Sequence, residues 1–353
     1  MYFSILKWKQ GEIRGLSELA NDLRPDISVV GEIPPPPWDS ENEQPAKPLD
    51  EHLRNVPDQI RDIEPRVERI FLDFRQLGSP DDVAALDIML PGLTEFPTVG
   101  FSLGTTTGGY SEQYIARVLQ IARDSERPLA LRVSKNDMAT INFSGFIESW
   151  LQAAELNSGR LSLLLDCGDL DQPNLAVITA VCASALKDTR QKGFAHVAVG
   201  GTSFPSNLAG FQRGENEIPR HELKLWTDTL QVMGTEPLSF LDYGVTSRDL
   251  NEQLPLPAML QMTANIRYTV RNRFLVFRAG RLREHGYEQF RDLSALITQH
   301  QEYAGHTFSW GDRYIWDCAA SIVTVGNNTT WRKVATNHHV TFVIDELRKL
   351  AAD

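Results

Sequence analysis

Eight short runs of nearly continuous apolar residues constrain this chain more than any other feature. They occupy residues 2–8, 27–33, 69–76, 98–103, 128–133, 161–165, 195–199 and 238–241. Most are followed by charge or glycine and then by a stretch with helical periodicity, as at 13–23, 49–63, 111–123 and 174–187. A strand that shows one face to water alternates apolar with polar; these do not, so both faces must be covered. Parallel strands with right-handed helical crossovers meet that demand, either as a closed barrel or as an open doubly wound sheet. No glycine-rich dinucleotide turn follows the first run, which favours the barrel. The expected fold is α/β: a TIM-like (β/α)8 barrel over residues 1–250 with a C-terminal α+β appendage over 251–353, joined near Leu254-Pro255-Leu256-Pro257.

With 353 residues, 42% of them hydrophobic, the chain is long enough for such a barrel and its appendage. The formal net charge of −11 argues against an extended nucleic-acid-binding face. The three cysteines Cys167, Cys182 and Cys318 show no CxxC spacing, which argues against a disulfide framework or a thiolate zinc site. With a strand-like start at Met1-Tyr2-Phe3, no signal peptide ahead of it and no apolar run of membrane-spanning length, the expected address is the cytoplasm, with no membrane partner.

In such barrels the site lies at the C-terminal strand ends. Here those positions carry Lys7, Glu32, Asp73 and Arg75, Arg132, Asp166 and Asp242. Carboxylates gathered at one mouth serve as acid and base or hold a divalent cation, so Glu32, Asp73 and Asp166 are the catalytic candidates and Mg²⁺ is an allowed cofactor. Lys7, Arg75 and Arg132 are suited to an anion, and Asp242 and His338 complete the ligand-binding candidates. The same charges would equally make a structural ion-pair network. Gly104 to Gly109 lacks the Gly-Lys-Ser/Thr ending of a P-loop and reads as a flexible loop. Gly200-Gly201-Thr202-Ser203, after the seventh run, is better placed for phosphate. His338-His339, read as strand residues, point to opposite faces and cannot share one metal, and no metal site is assigned. Cys167 sits beside Asp166 and Asp169, which disfavours a thiolate.

In the appendage, residues 268–271 and 274–278 read as a hairpin, and 289–304 as a helix. Arg267, Arg271 and Arg273 stand among Tyr268, Phe274 and Phe277. That mixture suits single-stranded nucleic acid, but a solvated edge strand or a protein contact accounts for it better in so acidic a chain.

Ile5-Leu6-Lys7-Trp8-Lys9 with Gly11-Glu12, the strand ends Glu32 and Asp73, Gly311-Asp312, and Trp331 with Asn337-His338-His339 together resemble the beta protein family of phages and bacterial genomes. The resemblance implies an association with phage–host conflict, as antiphage defence or counter-defence, and no reaction, so it carries no catalytic residue across. Two functions are expected. One is a barrel that binds, and on one reading hydrolyses, a small anionic ligand such as a nucleotide. The other is a non-enzymatic scaffold that recognises a phage or host protein through the 38–48 loop and the appendage.

Overall fold

The computed structural model describes residues 1–140, 142–189, 192–234, 237–249 and 262–352. The strands that matter are β1 (Tyr2–Lys7), β2 (Ile27–Glu32), β3 (Arg69–Asp73), β4 (Val99–Gly104), β5 (Leu129–Ser134), β6 (Leu161–Asp169), β7 (His196–Thr202), β8 (Gly214–Pro219), β9 (Ser239–Asp242), β10 (Thr263–Val270) and β11 (Arg273–Arg281). All eight apolar runs of the sequence are strands. They close in parallel, in the order β1-β2-β3-β4-β5-β6-β7-β9 and back to β1. The barrel is TIM-like, with helices around it.

Alternation along the strands builds the interior in layers. Phe3, Ile5, Val30, Phe71, Ala130, Leu164, Ala198 and Leu241 fill the middle of the barrel. The opposite faces, including Tyr2, Val29, Leu72, Leu131, Leu163 and Phe240, pack against the helices. Close strand contact dictates Gly200, where a Cβ would fall 1.7 Å from the Leu241 carbonyl oxygen.

The appendage is a three-stranded antiparallel sheet, β8-β11-β10, with helices Gln289–Gln299, Trp310–Ala319 and Asn328–Ala352. The hairpin expected at 268–278 is β10–β11, turning at Arg271-Asn272. Its third strand, β8, is contributed from within the barrel sequence, between the seventh and eighth barrel strands, so the two parts interleave. The expected junction at Leu254–Pro257 and the 250/251 boundary lie outside the described residues. His338 and His339, read as strand residues, belong to the 25-residue helix Asn328–Ala352. That helix packs along Gln10–Ser17 of the barrel. Among the described residues no helix is long and apolar enough to cross a membrane.

A candidate binding site at the barrel mouth

One step above the apolar layer, the same alternation turns Lys7, Glu32, Asp73, Arg132 and Asp166 inward at the C-terminal ends of five strands. Tyr243, just past β9, joins them. Arg132 is the hub, and it is 2% exposed. Its Nε donates to Asp166 Oδ2 at 2.8 Å, its Nη1 to Glu32 Oε1 at 2.8 Å and Asp73 Oδ2 at 3.1 Å, and its Nη2 to the Tyr243 hydroxyl at 2.6 Å. Tyr243 donates in turn to Asp166 at 2.7 Å. Arg75 Nη2 donates to Glu32 Oε1 at 2.6 Å, and its backbone N–H to Asp73 Oδ1 at 3.1 Å. The Tyr110 hydroxyl donates to Asp73 Oδ2 at 2.6 Å.

Five of the eight predicted residues therefore form one buried network: Glu32, Asp73, Asp166, Arg75 and Arg132. Burial by itself would raise the Asp166 carboxyl, but Arg132 and Arg75 outweigh it and hold the group down at about 2. Burial likewise opposes ionisation of Glu32, and the same two guanidiniums again bring its carboxyl below the ordinary range. At this layer's edge one donor atom has no partner, while the Lys7 ammonium donates to the Asp249 carbonyl oxygen. Arg75 Nε is buried without a partner. Lys7, only 8% exposed, is lowered to about 8, first by burial and then by Lys9, with Glu32 acting against them.

Asp242 sits elsewhere. Leu241 and Tyr243 face the interior, so Asp242 faces out, toward the C-terminal helix. It accepts from the Tyr2 hydroxyl at 2.6 Å and the Gly244 N–H at 2.9 Å, and lies 2.8 Å from His339 Nε2. His339 Nδ1 is 2.8 Å from the Thr269 hydroxyl. His338 is also away from the mouth. It is fully buried, stacks on Tyr268 at 3.9 Å, and lies 2.8 Å from both Asp312 Oδ2 and the Thr269 carbonyl oxygen. Being helical, the two histidines diverge by about 100°, so each meets its own acid.

In the Gly104–Gly109 run the last two amides are spent on the loop's own turns. Gly108 and Tyr110 donate to the Thr105 carbonyl, and Gly109 to that of Thr106. The appendage arginines have separate surroundings. Arg267 is half-buried over the Phe204 ring at 4.4 Å, Arg273 pairs with Glu217 and Glu302, and Arg271 stands at the hairpin turn. Cys167 is raised, first by its hydrogen bond with Cys182 3.4 Å away and then by burial, more than by Asp166.

The sequence reading missed Tyr110, Tyr243 and Tyr2, whose hydroxyls bind the carboxylates. Tyr243 was adjacent to a named strand end, a usable signal; Tyr2 and Tyr110 had none.

A comparison with known protein families matches residues 2–345 to the family described as Beta protein. The chain belongs to the Beta protein family. No curated protein matches it. Within this member of the Beta protein family, the resemblance residues Lys7, Glu32 and Asp73 stand in the mouth layer, while Asp312 and His338 pair inside the appendage. Among the described residues no three His, Cys, Asp or Glu side chains are grouped to hold a metal. The mouth carboxylates already face guanidinium and phenol donors.

Proposed function

We propose that this protein is a cytosolic barrel of phage–host conflict that binds a small anionic ligand, such as a nucleotide or another phosphorylated molecule, at its mouth. The observation that carries the binding reading is the Arg75 guanidinium, whose Nε has no partner, beside a network that fixes its surroundings and with Lys7 as a second cation at the same mouth. Arg75 is held by Glu32 and by the Gly108 carbonyl, and its guanidinium lies 5.6 Å from the Tyr110 ring centre. Such a group is positioned before the ligand arrives, which lowers the ordering cost of binding. The phage–host setting follows from the family resemblance alone.

The geometry supports binding better than hydrolysis. A carboxylate held near 2 is a weak base, and Glu32 and Asp73 accept from several donors each. The test is thermal stability against nucleotides and phosphates. A ligand specific to the folded state adds about 2.7 kcal/mol at a hundredfold excess over its dissociation constant, and Arg75→Ala is expected to abolish the gain. No gain with any ligand sinks this reading.

A second reading has one observation in its favour. Trp38 is 46% exposed on a small hairpin, Trp38–Asp39 against Gln44–Pro45, that follows β2 at the mouth side. An exposed tryptophan rimmed by Asp39, Glu41 and Glu43 suits a protein partner. Partner capture that survives Arg75→Ala and fails in Trp38→Ala would favour this scaffold role.

A further inference from the structure

Two polar clusters join the appendage to the barrel, and they differ in access. On the barrel flank, Arg220 donates to the carbonyls of Val270 and Arg271 and to Glu346, and its remaining nitrogens are sealed from solvent beside Glu222. The other cluster is open. There β10 and the helix Asn328–Ala352 meet the loop that follows β9, and Arg267 and Arg332 converge on one acceptor, the Val245 carbonyl oxygen. Each gives it a single N–H, from Nη1. Arg332 Nε lies 3.4 Å from Glu12 Oε1, and the Arg332 side chain is 28% exposed. Among the described residues Arg267 pairs with no carboxylate. Its Nε and Nη2 make no further hydrogen bond and are not closed off from solvent.

Both guanidiniums line a cleft of about 140 Å³, together with Asn265, Asn328 and Trp331. That is several times the roughly 30 Å³ share of one water molecule, yet small for a whole nucleotide, so it suits one oxyanion group. Among the described residues no acid lines it. Burial and then the like charge of Arg332 push the Arg267 guanidinium well below its ordinary value, with Glu12 acting against them. Antiparallel register places Arg278 of β11 opposite Asn265, on the same face of the sheet. Arg278 donates to the Thr263 hydroxyl at 3.1 Å and to the Phe211 carbonyl, and among the described residues it too pairs with no carboxylate. Arg267, Arg332 and Arg278 against Glu12 leave this corner positive in a chain whose net charge is −11. Like charges held together without enough counter-charge are costly, and an anion between them relieves both. Arg267 is also positioned in advance, because its guanidinium lies 4.4 Å from the Phe204 ring centre.

We propose that this cleft is an oxyanion subsite that takes a phosphate group, held by the free edge of Arg267 from β10 and by Arg332 from the facing helix. Arg267 offers the Nε–Nη2 fork and Arg332 its remaining Nη2. A tetrahedral group has an oxygen for each of these three donors, whereas a planar carboxylate has only two. The cleft borders the mouth, since Arg332 and Glu12 also act on Lys7. Its residues are nevertheless not those of the mouth network, so the proposal does not rest on the mouth reading.

The test is calorimetric titration of the full chain with inorganic phosphate, phenyl phosphate and acetate, at constant ionic strength set by chloride. Saturable binding is expected for the two phosphates and not for acetate. Arg267→Lys, which keeps the charge and removes the fork, should weaken it at least tenfold. Arg332→Gln, at a partly exposed side chain and so expected to fold, should weaken it about fivefold. The site that these two variants weaken should persist in Arg75→Ala. Tighter binding of the ester supports a phosphorylated small molecule as the occupant, and preference for inorganic phosphate supports free phosphate. The proposal is overturned by the absence of saturable phosphate binding or by acetate binding as tightly. It is equally overturned if neither Arg267→Lys nor Arg332→Gln weakens the binding, and loss of that binding in Arg75→Ala would then place the anion at the mouth.

Discussion

Asp166 at the mouth and Glu222 on the flank are both deeply buried carboxyls next to an arginine, yet they are driven in opposite directions, Asp166 to about 2 and Glu222 to about 7. Burial raises both. At the mouth, Arg132 and Arg75 and the Tyr243 hydroxyl more than offset it. On the flank, Arg220 spends its bonds on two carbonyls and Glu346, and Glu222 keeps only the Ser203 hydroxyl as a side-chain donor. The number of donors aimed at a carboxylate, more than its depth, decides whether the fold welcomes its charge. A carboxylate well supplied with donors keeps its charge; one left with few gives it up by holding a proton.

The strongest way to break this contrast is Arg132→Met. It strands Glu32, Asp73 and Asp166 without their hub, and should cost about 3–5 kcal/mol in urea denaturation. A loss under 1 kcal/mol would mean that the network contributes little to stability.

The flank should respond to pH in the opposite sense to the mouth. A raised carboxyl binds its proton more tightly in the folded chain. Its contribution is therefore complete below its ordinary value of 4.5 and is lost as pH rises through 7. Glu222→Gln should stabilise the protein at pH 8, by up to about 3 kcal/mol from the size of the shift, and change little at pH 4. Equal effects at both values would show that Glu222 is not held protonated.

Asp166 sets the acid limb. Its folded value lies below the ordinary 3.8, so its contribution is present above that and disappears as pH falls toward 2. The shift corresponds to about 2 kcal/mol. In Asp166→Asn, stability measured between pH 4 and pH 2 should slope less steeply than in the parent chain. The smallest effect is expected at neither cluster. Trp38→Ala should change stability by about 0.5 kcal/mol or less, as at other exposed positions, so any loss of partner capture in that variant would reflect recognition and not folding.

The barrel was legible because its cause is local. A strand covered on both faces must be apolar throughout, and eight such runs, at 2–8 through 238–241, reveal themselves without knowledge of their neighbours. The mouth was partly legible for the same reason. Once a strand end is located, alternation brings Glu32, Asp73, Arg132 and Asp166 to one layer. Placing Asp242 there ignored that alternation, which turns it outward beside Tyr2 and His339. Reading His338-His339 as strand residues misplaced both, because their helix is held by packing on the barrel and not by a clean amphipathic pattern.

Arg220 could not have been read at all. Its neighbours come from the β10–β11 turn and from Glu346, more than a hundred residues away, and only closure of the chain brings them together. The sequence by itself determined the barrel, its apolar layers and the charge of its strand ends, since each follows from spacing within one strand. Tertiary structure alone decided which of those charges are satisfied, since a donor and its acceptor meet through the whole path of the chain between them.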